Sequence, residues 1–222
     1  MPTSDSFDTS QGPLVVTPIY HATMLLRFAG KNIYVDPAPQ GQYANLPLAD
    51  VIFVTDIHPD HLDAATLDKL KQPSTLIVAP PAVAAQYKGV SVVMKNGDAR
   101  DVMGVHVEAV PMYNLTRGPA AGKLYHDKGR GNGYVLTFGD RRVYLSGDTE
   151  CTDEMRALKN IDVAFVCMNL PYTMPPTEAA ECVRAFHPKV VFPYHFRDSN
   201  LADFTSAIPA DAGVEVRIRK WY

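Results

Sequence analysis

Thr55-Asp-Ile-His-Pro-Asp-His-Leu-Asp63 places three carboxylates and two imidazoles within nine residues. Imidazole nitrogen and carboxylate oxygen are common donors to divalent metal ions. Asp56, His58, Asp60 and His61 are close enough in sequence for one loop to fold them around a point. The chemistry open to such a cluster is hydrolysis, because a bound cation lowers the pKa of its water to about 7 and supplies hydroxide at neutral pH. The segment follows Val51-Ile-Phe-Val54, a short apolar run that reads as a buried strand. The donors therefore sit where a rigid strand gives way to a loop.

Other apolar runs also end in candidate site residues: Tyr20-His21-Ala22, Val35-Asp36-Pro37, Ser146-Gly-Asp148-Thr149 and Pro193-Tyr-His195-Phe196. Each has an ordinary reading when taken singly. Gly-Asp after a strand is usually a turn or a helix cap, and a lone histidine there is more often a hydrogen-bonded structural residue. Asp-Pro starts turns, and Asp63 can cap the helix that follows it. Taken together, polar groups at the ends of several strands of one layered fold converge on one rim.

The elements that must position them follow from hydrophobic patterning. Strands are expected at Leu14–Ile19, Thr23–Phe28, Asn32–Val35 and Val51–Val54, with a hairpin turn at Gly30-Lys31. Leu62–Lys71 has helical spacing and is stopped by Pro73; Thr75–Ala79 is a strand and Pro81–Tyr87 a short helix. Ser91–Met94 and Val105–Val110 extend the sheet. The second half restarts with a hairpin, Gly133–Phe138 and Arg141–Ser146, joined by Gly139-Asp140. Asp162–Val166, Lys189–Phe192 and Val214–Ile218 are expected strands, and Thr177–Phe186 and Leu201–Ile208 helices. Strand runs followed by strand–helix alternation in both halves fit two packed sheets with helices outside. The segment 113–132 has no clear pattern and is long enough to suggest function.

From about Val15 to the C-terminus, the order and spacing of these strings resemble the metallo-β-lactamase superfamily. The resemblance is narrower to its branch of small hydrolases that includes ascorbate-phosphate lactonase-like enzymes. It implies an α/β fold, a four-layer αββα sandwich with mixed sheets, and a one- or two-metal site between the sheet edges. His58, Asp60 and His61 match the family string H-x-H-x-D-H, and Asp56 stands where its first histidine is expected. Asp148 matches the bridging carboxylate and His195 the final histidine. The mid-chain histidine ligand has Tyr113 or Asn114 in its place, and His126 is the nearby histidine that could substitute. Asp60 is implied as both ligand and proton acceptor, with His21 and Asp36 orienting ligands through hydrogen bonds. One or two divalent ions are expected, Zn²⁺ or Mn²⁺ with Fe²⁺ as a further candidate. Two ions are the preferred reading and a single ion at the intact set its competitor. A carboxylate at position 56 hardens the first half-site toward Mn²⁺ or Fe²⁺ relative to Zn²⁺.

For substrate, Lys128 and Arg130 could meet a phosphate or carboxylate, or form a solvated basic loop. Tyr113, Tyr172 and Arg197 flank the expected rim, while Tyr194 is expected in the core. The function expected is attack of metal-bound hydroxide on an ester, lactone, amide or phosphodiester of a small molecule. The alternatives are a phosphodiesterase or nuclease of the same fold, and a catalytically decayed metal-binding protein.

The 222 residues are enough for a single domain over 14–222 behind a disordered or extended segment, 1–13. A net charge of −3 argues against a general affinity for nucleic acid. No apolar run approaches the roughly 18 residues of a membrane span, and an oligomer is possible. The polar start, Met1–Gly12, lacks a secretory pattern, so the cytoplasm is expected; a periplasmic or secreted location is the alternative if a signal has been removed. Cys151, Cys167 and Cys182 are odd in number and widely spaced, so no disulfide framework is expected. Cys167 and Cys182 are expected to be buried thiols.

Overall fold

Along Val51–Val54 successive side chains point to opposite faces: Val51 and Phe53 enter one buried cluster, Ile52 and Val54 another. The same division runs through the neighbouring strands. Met24, Leu26, Phe28, Ile33, Val35 and Val78 join the first cluster, and Leu25, Tyr34, Ile77 and Ala79 the second. A sheet apolar on both faces must be covered on both. In the computed structural model, which describes residues 3–222, one face meets a second sheet and the other meets helices.

The first sheet has seven strands in chain order: β1 (Asp5–Thr9), β2 (Gly12–Tyr20), β3 (Thr23–Phe28), β4 (Lys31–Val35), β5 (Ala49–Phe53), β6 (Lys71–Ala79) and β7 (Val92–Val93). Helices α1 (Ala64–Leu70) and α2 (Pro81–Gln86) cover it with Leu67, Leu70 and Val83. The second sheet comprises β8 (Ala99–Val102), β9 (Val105–Met112), β10 (Gly131–Phe138), β11 (Arg141–Leu145), β12 (Val163–Cys167), β13 (Val190–Tyr194) and β14 (Glu215–Val216). Its helices are α3 (Asp153–Arg156), α4 (Pro176–Phe186) and α5 (Leu201–Ser206). Each sheet begins with four antiparallel strands and ends with parallel pairings. Aromatic pairs lock the sheets face to face, with ring centroids 5.2 Å apart for Phe53–Tyr134 and 5.1 Å for Phe28–Phe138. The architecture is the expected αββα sandwich with mixed sheets.

Several local readings change. Of the two expectations for the segment 1–13, disordered or extended, the described part is extended: it contains β1, which pairs with β2, and Asp5 holds Arg217 and Arg219 in ion pairs; Met1 and Pro2 lie outside the described residues. Strands β1 and β8 and helix α3 are only four or five residues long, too short to show a period. The first hairpin turn is Ala29-Gly30, both with positive φ, and Lys31 already lies in β4. Helix α4 starts at Pro176 rather than Thr177; proline has the φ of a first helical turn and lacks an amide hydrogen that would go unpaired there. Asp63 does cap α1, its Oδ1 accepting from the Thr66 amide at 2.8 Å. Among the described residues no helix is long and apolar enough to cross a membrane.

Cys151 and Cys182 form a disulfide, their Cα atoms 5.6 Å apart, which corrects the expectation of a free thiol at Cys182. Cys167 remains a buried thiol. The bond links the loop that follows β11 to α4 across 31 residues of sequence, a proximity that spacing could not reveal. Closing a loop of that length stabilises a fold by about 3.7 kcal/mol. Cys182→Ser should therefore lower the urea unfolding midpoint under oxidising conditions to the value the parent shows with reductant. An unchanged midpoint, together with three titratable thiols in the unfolded parent, would show that the bond does not form.

Candidate metal centre

Neighbouring parallel strands end within two residues of one another: Val35 pairs Phe53 and Cys167 pairs Tyr194 at their last residues, and β12 runs two residues past the Leu145–Phe165 pair that ends β11. Residues just beyond those ends therefore share one rim, where ligands bind in open α/β sheets. Asp36, the Thr55–His61 loop, Asp148 and His195 all leave strands there. Three of these site residues adopt positive φ: His21 at 56°, Asp36 at 42° and His195 at 48°. Such values are uncommon without glycine and cluster at functional sites. Backbone bonds hold them, from the His21 amide to Trp221 O (3.1 Å), Asp36 to Phe53 O (2.9 Å) and His195 to His21 O (3.1 Å). Gly147, at φ 60°, makes the turn that brings Asp148 inward; a Cβ there would lie 2.5 Å from Met112 Sδ.

Asp148 is the hub. Its Oδ2 lies 3.3 Å from His61 Nε2 and 3.2 Å from His126 Nε2, and its Oδ1 lies 3.3 Å from His195 Nε2. His61 Nδ1 donates to Asp36 Oδ2 at 2.8 Å, and Asp36 also accepts from the Thr55 amide and hydroxyl. His126 Nδ1 donates to Asn114 Oδ1 at 2.6 Å. Each of these bonds fixes the ring and leaves Nε2 as the free nitrogen. Asp60 completes the group, its Oδ2 at 3.3 Å from His195 Nε2 and 3.1 Å from His21 Nε2. His21 in turn accepts at Nδ1 from the Tyr222 hydroxyl, 2.6 Å away, and that oxygen accepts from the Arg197 amide.

The other half-site differs. Asp56, His58 and His126 come close enough for one ion, yet Asp56 is fully buried and held two-handed by Arg130. Nε donates to Oδ1 at 3.0 Å and Nη2 to Oδ2 at 2.8 Å. Nη2 also lies 3.4 Å from His58 Nε2. Arg130 is thus turned onto Asp56 rather than toward substrate, a correction to its expected role. Asn114 is corrected likewise. It donates to Glu150 and the Tyr172 carbonyl while accepting from His126, so every polar atom of its side chain is engaged and His126 is the residue brought to the cluster.

The electrostatics favour a cation. Burial alone would raise the pKa of Asp148, but His195 and His61 hold it well below the usual carboxylate range. Burial alone would lower that of His61, but Asp148, Asp36 and Asp60 together raise it well above that of a free imidazole. Asp60 is also strongly depressed, with burial outweighed by His61, His195 and His21. Burial takes His21 down to about 4, so its ring is neutral at pH 7. Among the described residues, buried His61 Nε2, His126 Nε2 and Asp148 Oδ1 have no hydrogen-bond partner, although opposing atoms lie 3.2–3.3 Å away. Unpaired buried polar atoms are costly. Lone pairs gathered around carboxylates in this way fit a divalent ion, which would displace the proton that His61 otherwise attracts.

A cavity of about 400 Å³ opens above the cluster, lined by His58, Asp60, His126, Asp148 and His195, with Arg197, Tyr125 and Tyr172 at its wall. Of the expected substrate contacts, Tyr172 and Arg197 line it. Tyr113 and Lys128 do not: both are tied to Glu154, at 2.9 and 2.6 Å, on the segment beside it. Sequence reasoning missed Gln40, Tyr125 and Asn169, which also line the cavity, and Tyr222, which fixes His21. Only the Asp-Pro turn next to Gln40 offered a signal. Tyr222 is 201 residues from its partner and offered none.

Comparison with known proteins identifies the family. Residues 16–195 match the beta-lactamase superfamily domain. A UPF0173 metal-dependent hydrolase of Enterococcus faecalis is 30% identical over 75% of this chain and 79% of its own length. Another, from Pelotomaculum thermopropionicum, is 29% identical over 91% and 95%. A crystal structure of a protein assigned as a metal-dependent hydrolase from Parabacteroides distasonis superposes with TM-score 0.92 at 40% identity, covering 99% of both chains. The metallo hydrolase Igni18 of Ignicoccus hospitalis shares the fold, with TM-score 0.76 at 19% identity over 92% and 94%. The chain belongs to the metallo-β-lactamase superfamily and is one of its metal-dependent hydrolases.

Proposed function

We propose that the chain hydrolyses an ester, lactone, amide or phosphodiester of a small, anionic molecule, using divalent metal held at the cluster around Asp148. The observation that carries this reading is the set of buried, unpartnered nitrogens of His61 and His126 facing Asp148 beneath a 400 Å³ cavity. His61, Asp148, His195 and Asp60 would hold the ion. When bound, it lowers the pKa of water and polarises the bond to be cleaved.

The remaining roles belong to the protein. Asp60, its side chain 28% exposed at the mouth, is the proton acceptor by position; His61, His195 and His21 keep its carboxylate ionised, and the last two aim it. Arg197, whose guanidinium makes no hydrogen bond among the described residues, supports an anionic substrate group at the wall. Tyr125 and Tyr172, their rings 5.0 Å apart, offer an aromatic face on the same side. A cavity of this size suits a small molecule rather than a polymer. The Cys151–Cys182 bond supports an oxidising compartment, periplasmic or extracellular, over the cytoplasm.

His61→Ala and Asp148→Ala should each remove bound metal and hydrolysis of nitrophenyl ester, lactone and phosphodiester probes while leaving the circular dichroism spectrum unchanged. Full activity in either variant would disprove the assignment. Asp36→Ala, which frees the His61 ring, should weaken metal binding about 10- to 100-fold in competition with a chromophoric chelator; undiminished affinity would remove Asp36 from the positioning role.

A further inference from the structure

We propose that Arg130 is a built-in cation of the first half-site, so that the protein holds one divalent ion tightly, at Asp60, His61, Asp148 and His195, and the position beside Asp56 only weakly. The proposal rests on the metal-dependent reading above and concerns how that site is filled.

The two half-sites are in different chemical states. Around Asp148, His61 Nε2, His126 Nε2 and Asp148 Oδ1 face inward without hydrogen-bond partners among the described residues, and Asp60 is bonded only to the imidazoles of His195 and His21, with no guanidinium or ammonium among them. Around Asp56 both carboxylate oxygens already receive hydrogen bonds from one guanidinium, and His58 Nδ1 lies 3.1 Å from the same carboxylate while its Nε2 faces Arg130. Of that trio only His126 keeps a free nitrogen, and it also lies 3.2 Å from Asp148. An ion entering beside Asp56 would have to displace Arg130 or sit next to a fixed positive charge.

Displacement is opposed by how the arginine is held. The amide of Asn132, two residues on, donates to Thr55 O at 2.9 Å, one residue before Asp56. The Arg130 amide closes a turn onto Asp127 O at 3.1 Å. The backbone thus brings Arg130 to Asp56 at a set distance, and its side chain is only 18% exposed. Bidentate guanidinium–carboxylate pairs are among the stronger hydrogen-bonded ion pairs, and a buried carboxylate stripped of its partner is strongly unfavourable. Carboxylate and arginine therefore act as one substitution: an imidazole ligand is replaced by an anion, and a guanidinium occupies the place a cation would take.

The test is the number of Mn²⁺ and Zn²⁺ ions bound at equilibrium, measured by dialysis and elemental analysis on the intact parent, on Arg130→Gln and on the pair Asp56→His/Arg130→Gln. Electron spin resonance of the Mn²⁺ forms gives a second readout. One tight equivalent in the parent, with the spectrum of an isolated ion, is expected. Arg130→Gln should bind a second ion at least about 10-fold more tightly than the parent does, and the double variant should hold two. Two tight equivalents and a coupled spectrum in the parent would overturn the proposal. An unchanged second affinity in folded Arg130→Gln would remove Arg130 as the cause. No bound ion in any form would instead overturn the metal-dependent reading itself.

Discussion

The Asp148 carboxylate, set among the nitrogens of His61, His126 and His195, is the interaction on which the rest depends. It joins the halves of the molecule: His61 comes from the loop after β5 in the first sheet, Asp148 and His195 from strand ends of the second. Removed from water and short of hydrogen bonds, these groups are unfavourable alone. The strained turns at His21, Asp36 and His195 are a further cost. The sandwich core, with Phe53, Tyr134 and Phe165 buried between the sheets, supplies the stability that offsets both.

Around that hub, orientation is carried by neutral groups and backbone as much as by charge. Asp36 aims His61, Asn114 aims His126, and the chain from the Arg197 amide through Tyr222 to His21 aims Asp60. Glu150 anchors the second of these, since its carboxylate accepts from Asn114 and from the amides of Thr116 and Arg117. The unpatterned segment 113–132 is therefore held to the site by side chain–backbone bonds rather than by a period of its own.

Much of the fold was legible because its strands are buried on both faces. Apolar runs such as Val51–Val54 announce themselves, and candidate ligands stand out by their position just after them. Short elements without a period, such as β8 and α3, do not. At the site, His58, Asp60, His61, Asp148 and His195 could be picked out by residue type at strand ends, and the structure brings them together. The partner of Asp56 could not be seen: Arg130 lies 74 residues away, in a glycine-rich stretch where a basic residue equally suggests a substrate contact or a solvated loop. Tyr222 and the Cys151–Cys182 pair were hidden for the same reason, since long-range proximity leaves no trace in local pattern.

If the carboxylate and imidazoles around Asp148 form a metal site, an ion will lie among them. Crystals grown with Mn²⁺ or Zn²⁺ and measured on either side of the metal's absorption edge test it most directly. An edge-dependent anomalous peak within coordination distance of His61 Nε2 and Asp148 is expected. A difference map without a peak there, or with its only peak elsewhere on the molecule, would contradict it.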